Sequence, residues 1–143
     1  MKTTLLIIVL IITTIGMRGQ GVGSMYDDAI YILKDKQKRG DVIDMQLRSL
    51  EKSEMIIVMY ANRKTQAFFF DNKTNKCEST IRSLSKEEIN DIVVKMNTDF
   101  VKATDSLWLT KENGDVITYK LSFDKETNEY SLSKFISNLK DPQ

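Results

Sequence analysis

The chain has 143 residues, 41% of them hydrophobic and 29% charged, enough for one hydrophobic core and short for two. Its 21 basic and 20 acidic residues give a net charge of +1, which excludes the basic excess that nucleic acid or an anionic membrane demands. Histidine is absent and cysteine occurs once, so histidine-based catalytic triads, histidine general bases, nearly every zinc site and any internal disulfide are excluded as well.

Met1 and Lys2 form a short positive start, Leu5 to Ile15 an apolar run interrupted only by Thr13 and Thr14, and Gly16 to Gly21 a stretch containing several small residues. This pattern predicts a secretory signal peptide over residues 1–20 and a single α+β domain over 21–143, with the mature chain in the periplasm or outside the cell. An uncleaved anchor is the competing reading, because Met17 and Arg18 interrupt the small residues. Removing Lys2 and Arg18 from the 21 basic residues leaves 19 against 20 acidic. No later run approaches the ~20 apolar residues of a membrane-spanning helix.

Ser24, followed by Asp27 and Asp28, predicts a capped, acidic first turn; Tyr26, Ala29, Ile30 and Leu33 then recur at helical spacing, and Lys34 to Arg39 load a basic last turn before Gly40. A helix from about Met25 to Arg39 follows. Residues 41–53 fit a strand through alternation at Ile43, Met45 and Leu47, and fit a helix almost as well; an edge strand is the reading adopted.

The stretch Glu54 to Phe70 is the apolar centre of the chain. Ile56 to Tyr60 and Ala67 to Phe70, joined by a polar turn, predict a β-hairpin in mid-sheet with both faces of its first strand covered. Asp71 to Asn75 makes a turn into a third strand, Lys76 to Arg82, in which Cys77 reads as a partly buried small residue. Ser85 and Glu88 form a capping box, Leu84 and Ile89 a hydrophobic staple, and Ile89, Ile92, Val93, Met96 and Phe100 one apolar face, so a second helix is expected from Lys86 to about Asn97.

The last third reads as β. Thr104 to Lys111 and Asp115 to Asp124 are joined through Asn113-Gly114, the strongest short hairpin signal available. A further turn leads to Glu129 to Ile136, where Tyr130, Leu132 and Ile136 alternate with serines. The segment around Pro142 reads as a frayed tail.

Phe70 to Lys76 and Phe123 to Glu129 share the pattern F-D-x-x-T-N-x, each after an apolar strand and before a mixed one. Together with the capped helix ahead of each, this suggests a duplication of helix-strand-strand-strand, with 41–53 as extra material in the first copy. Independent selection of good turn residues would give the same pattern. The expected fold is α+β: two amphipathic helices on one face of a mostly antiparallel sheet of six to seven strands. In element order the chain resembles the duplicated helix-plus-sheet modules of the β-lactamase-inhibitor-protein type, and in style it is similar to small exported proteins of the Bacteroidota. The resemblance implies a fold and an inhibitory or binding role. It carries no functional residue across.

The acidic groups Asp27/Asp28, Glu87/Glu88 and Glu126/Glu129 all have cap, turn or surface explanations, and Asp71 to Asn75 lacks the glycine and distal glutamate of a calcium loop. No phosphate-binding or C-x-x-C motif occurs, so no catalytic residue, metal or cofactor is expected. Within a strand Phe69 faces away from Phe68 and Phe70. If helices cover the face bearing Phe68 and Phe70, then Phe69, with Tyr60 or Trp108 nearby, lies on the open face as a candidate docking surface for a protein or a glycan. Coverage by a loop or terminal segment is the plain alternative. The function expected is an exported binding or inhibitory module using that face, with envelope assembly by homo-oligomer formation through edge strands as the alternative and enzymatic activity third.

Overall fold

A computed structural model describes residues 21–137; the predicted leader and the tail from Asn138 lie outside the described residues. Helix α1 (Tyr26–Lys38) precedes strands β1 (Val42–Ser49), β2 (Ser53–Tyr60), β3 (Thr65–Asp71) and β4 (Cys77–Leu84). Helix α2 (Lys86–Asp99) precedes β5 (Val101–Thr104), β6 (Leu107–Glu112), β7 (Asp115–Asp124) and β8 (Glu129–Ile136). All eight strands form one antiparallel sheet in the order β1-β2-β3-β4-β8-β7-β6-β5.

The sheet therefore has eight strands, where the sequence led to six or seven. The strand expected over 104–111 is β6, which starts only at Leu107; Asp105 and Ser106 turn the chain, the Ser106 N–H donating to Thr104 Oγ1 at 3.3 Å, and the added strand β5 precedes them at Val101–Thr104. β5 escaped the reading because its Val-Lys-Ala-Thr alternation lasts only four residues, all of them exposed. Counting β5 also changes the repeat unit, which is a helix followed by four strands in both halves, so residues 41–53 are no insertion. β1 and β5 are equivalent, and they form the two edges.

Both helices lie on the same face of the sheet, each over its own half. Under α1, Ala29 and Leu33 pack with Val42, Ile56, Val58, Phe68, Phe70 and Cys77. Under α2, Met96 packs with Leu84, Trp108 and Leu132, flanked by Phe100, Tyr119 and Leu121. Only one face of β2 is covered: Ile56 and Val58 are fully buried while Met55, Ile57 and Met59 on the other face stay half-buried. The expectation that both faces of this strand are covered is thus corrected, since there is no layer on the second side among the described residues.

Local chemistry explains the joints. α2 begins with the anticipated capping box, the Glu88 carboxylate accepting the Ser85 N–H at 2.9 Å. α1 begins without a side-chain cap; Ser24 instead is buried and its segment is tied to β4, with the Cys77 N–H donating to the Ser24 carbonyl at 2.7 Å and the Tyr26 N–H to the Asn75 carbonyl at 2.8 Å. In the two F-D-x-x-T-N-x turns, Asn75 and Asn128 both adopt φ of 57°. Asparagine tolerates that left-handed conformation better than other residues with a Cβ.

Candidate functional site

Among the described residues no helix packs on the second face of the sheet, where Thr118 alone is buried and its hydroxyl meets that of Ser137; the composition of this face follows from register. One row of directly paired residues runs across all eight strands: Arg48, Met55, Phe69, Ser79, Phe135, Thr118, Leu109 and Val101. Because side chains alternate along each strand, these all project to the same side as one another. The neighbouring row contributes Gln46, Ile57, Ala67, Ile81, Ser133, Lys120 and Leu107. Apolar side chains are thus spaced across the sheet with small hydroxyl residues between them.

Phe69 sits near the middle of this face, between Met55 on one neighbouring strand and Ser79 on the other. Phe135 is the next residue beyond Ser79. The two rings are therefore two strands apart, roughly 10 Å, with only a serine side chain between them. No bulky side chain stands between the two aromatics in this row. Both phenylalanines are half-buried, as are Met55, Ile57, Met59 and Leu109, and Ile81 is 40% exposed. Adjoining this region, a hollow of about 300 Å³ is lined by Ile57, Ala67 and Ile81 and bordered by Asp124 and Glu129 at the β7–β8 turn.

The other two aromatic candidates lie on the helix-bearing face. Trp108 is completely buried in the second core and donates its indole N–H to Asn97 Oδ1 at 2.8 Å. Tyr60 packs beside the first core and donates its hydroxyl to Gln66 Oε1 at 2.8 Å. Tyr60 shares the parity of Ile56 and Val58, and Trp108 pairs with Tyr119 of the helix-bearing face, so neither reaches Phe69. Phe135 is the residue that sequence reasoning missed. Its signal was present: among Tyr130, Leu132 and Ile136 it is the one bulky apolar residue out of phase.

Chemistry elsewhere is sparse. Cys77 is buried at 0% exposure and burial pushes its thiol up to about 12, which leaves it protonated and shielded at neutral pH. Among the described residues no group of three or more Cys, Asp or Glu residues could hold a metal ion, and no helix is long and apolar enough to cross a membrane. Lys64 forms an ion pair with Glu88, and that contact, reinforced by the Ser85 N–H, draws the Glu88 carboxyl down to about 2. These groups stabilise the join between β3 and α2. No protein-family model matches the chain, and neither the curated proteins nor the solved structures contain a significant match to it.

Proposed function

We propose that this chain is a small exported module that binds a protein partner, in an inhibitory or scaffolding capacity, through the open face of its sheet. The observation that carries the reading is the uninterrupted row from Arg48 to Val101, with Phe69 and Phe135 flanking Ser79. Aromatic anchors beside a small residue give a partner side chain a place to insert, and adaptable methionines at Met55 and Met59 can follow its contour. A protein suits this surface better than a glycan, because the apolar groups are mainly aliphatic and thioether and the aromatic ones are only two. Asp124 and Glu129 at the rim favour a partner with a basic residue at that end. The apolar leader supports export, and the likeness in element order to β-lactamase-inhibitor-type modules supports inhibition. A non-enzymatic role fits a chain without histidine whose one thiol is buried.

Phe69→Ala tests this directly. Affinity capture of the mature protein and of the variant from the native envelope should show a stoichiometric partner lost from the variant, while the thermal midpoint changes little. An unchanged partner profile would refute the reading. A second reading, self-association, has its own observation: edge strand β1 and its exit expose Ile43, Leu47 and Leu50, each 45–50% exposed. Light scattering after size exclusion separates the two, since a strictly monomeric protein at high concentration excludes assembly through the edge.

A further inference from the structure

The helix-bearing face holds a feature of different chemistry. Its two apolar cores do not meet, and between them a crevice of about 280 Å³ opens over β3, β4 and β8, lined by Thr80, Arg82, Lys134, Met96, Phe100 and Leu132 among others. Thr80 is only 6% exposed, yet its hydroxyl has no hydrogen-bond partner among the described residues. Buried hydroxyls are nearly always satisfied, so an orphan that lines a crevice points to something that enters it.

Arg82 is half-buried beside it, and among the described residues its guanidinium forms no ion pair. It lies across from Gln66 on β3 and Leu132 on β8, which makes Lys134 its diagonal neighbour. A second crevice of about 220 Å³, reaching Tyr60 and Lys64, opens on its other flank. The nearby carboxylates are already engaged: Glu112 holds Lys134 at 3.1 Å, and Glu88 holds Lys64. Lys95 at the crevice rim has Asp91 and Asp99 one turn away along α2, and neither forms an ion pair with it. The crevice therefore keeps an uncompensated, planar cation next to an unused hydroxyl.

We propose that this crevice binds a small organic acid, its carboxylate held by Arg82 and Thr80 and its apolar body against Met96, Phe100 and Leu132. A guanidinium meets a carboxylate through two parallel N–H donors, and the remaining lone pairs of the carboxylate accept from a hydroxyl. The volume corresponds to about nine waters, more than a bare oxyanion fills. The apolar wall selects a ligand with a hydrocarbon portion over an inorganic anion. The site lies on the opposite face from Phe69, so it stands or falls independently of the docking surface.

The test is isothermal titration of the mature protein with hexanoate, and separately with inorganic phosphate and chloride at matched ionic strength. Hexanoate should bind saturably at one site, phosphate more weakly, and chloride not at all. Arg82→Gln should weaken hexanoate at least tenfold, about 1.4 kcal/mol, and Thr80→Val, which keeps shape and removes the hydroxyl, should weaken it severalfold. Phe69→Ala should leave it unchanged. Trp108 fluorescence reports whether each variant is folded; should Arg82→Gln fail that control, Arg82→Lys, which keeps the charge and removes the fork, decides together with Thr80→Val. Non-saturable hexanoate binding, equal affinity in the variants, or phosphate binding as tightly as hexanoate would overturn the assignment.

Discussion

At the scale of single residues, the ion pair between Lys64 and Glu88 makes a prediction with a definite sign. The folded Glu88 carboxyl lies near 2, below the roughly 4.3 of an unfolded chain. Its contribution to stability is therefore complete above the unfolded value and is lost as pH falls through the folded one. Glu88 is partly exposed, so solvent screening limits the pair to about 0.5–1 kcal/mol. Lys64→Met should be less stable than the parent by that amount at neutral pH, with the gap closing as denaturation is followed from about pH 4 towards about pH 2. A gap independent of pH would mean that Lys64 acts through its hydrocarbon stem. The indole of Trp108 gives a second expectation. Asn97→Ala removes the acceptor of a buried N–H and should cost about 1–3 kcal/mol in chemical denaturation, whereas an unchanged midpoint would mean that water replaces the amide.

At the scale of elements, the two F-D-x-x-T-N-x turns place Asn75 and Asn128 in the same left-handed conformation. Asn128→Ala should cost about 1 kcal/mol, and Asn128→Gly should be close to neutral, because only the former carries a Cβ without a compensating local hydrogen bond. Equal effects of the two, measured by urea denaturation, would remove the backbone explanation. Here the sequence was highly legible: β7 and β8 have the expected bounds, and α2 starts at the expected residue. Elements with one buried face announce themselves through periodicity. β5 could not, since its residues face water or the sheet edge, and the start of α1 misled in a different way. Ser24 had cap chemistry in the right place, yet pairing of its backbone with Cys77 decided where the helix began. The site was half legible. Alternation put Phe69 opposite Phe68, but the partners of Phe69 depend on how the second half docks, and Phe135 becomes its neighbour only through β4–β8 pairing across 56 residues of sequence.

At the scale of the whole molecule, two cores share one sheet, and the question is whether they melt together. Backbone pairing of β4 with β8 extends over Ser79 to Leu84, and Lys76 adds a link to Asp115 at 3.9 Å. Trp108 is the one tryptophan and lies in the second core. Phe68→Ala, in the first, should cost about 3–5 kcal/mol and move the Trp108 transition by as much as it moves the circular-dichroism transition. Separate transitions would show that the halves unfold independently. The strand order also has a consequence in time. β8, the last of the described strands in the chain, is a central strand of the sheet, and β5 to β7 reach the first half only through it. Until Glu129 to Ile136 has left the ribosome, the growing chain can assemble no more than its opening half, with β4 as a bare edge. Completion of the fold thereby waits for β8, and a nascent chain stalled short of that strand should remain sensitive to protease throughout its second half.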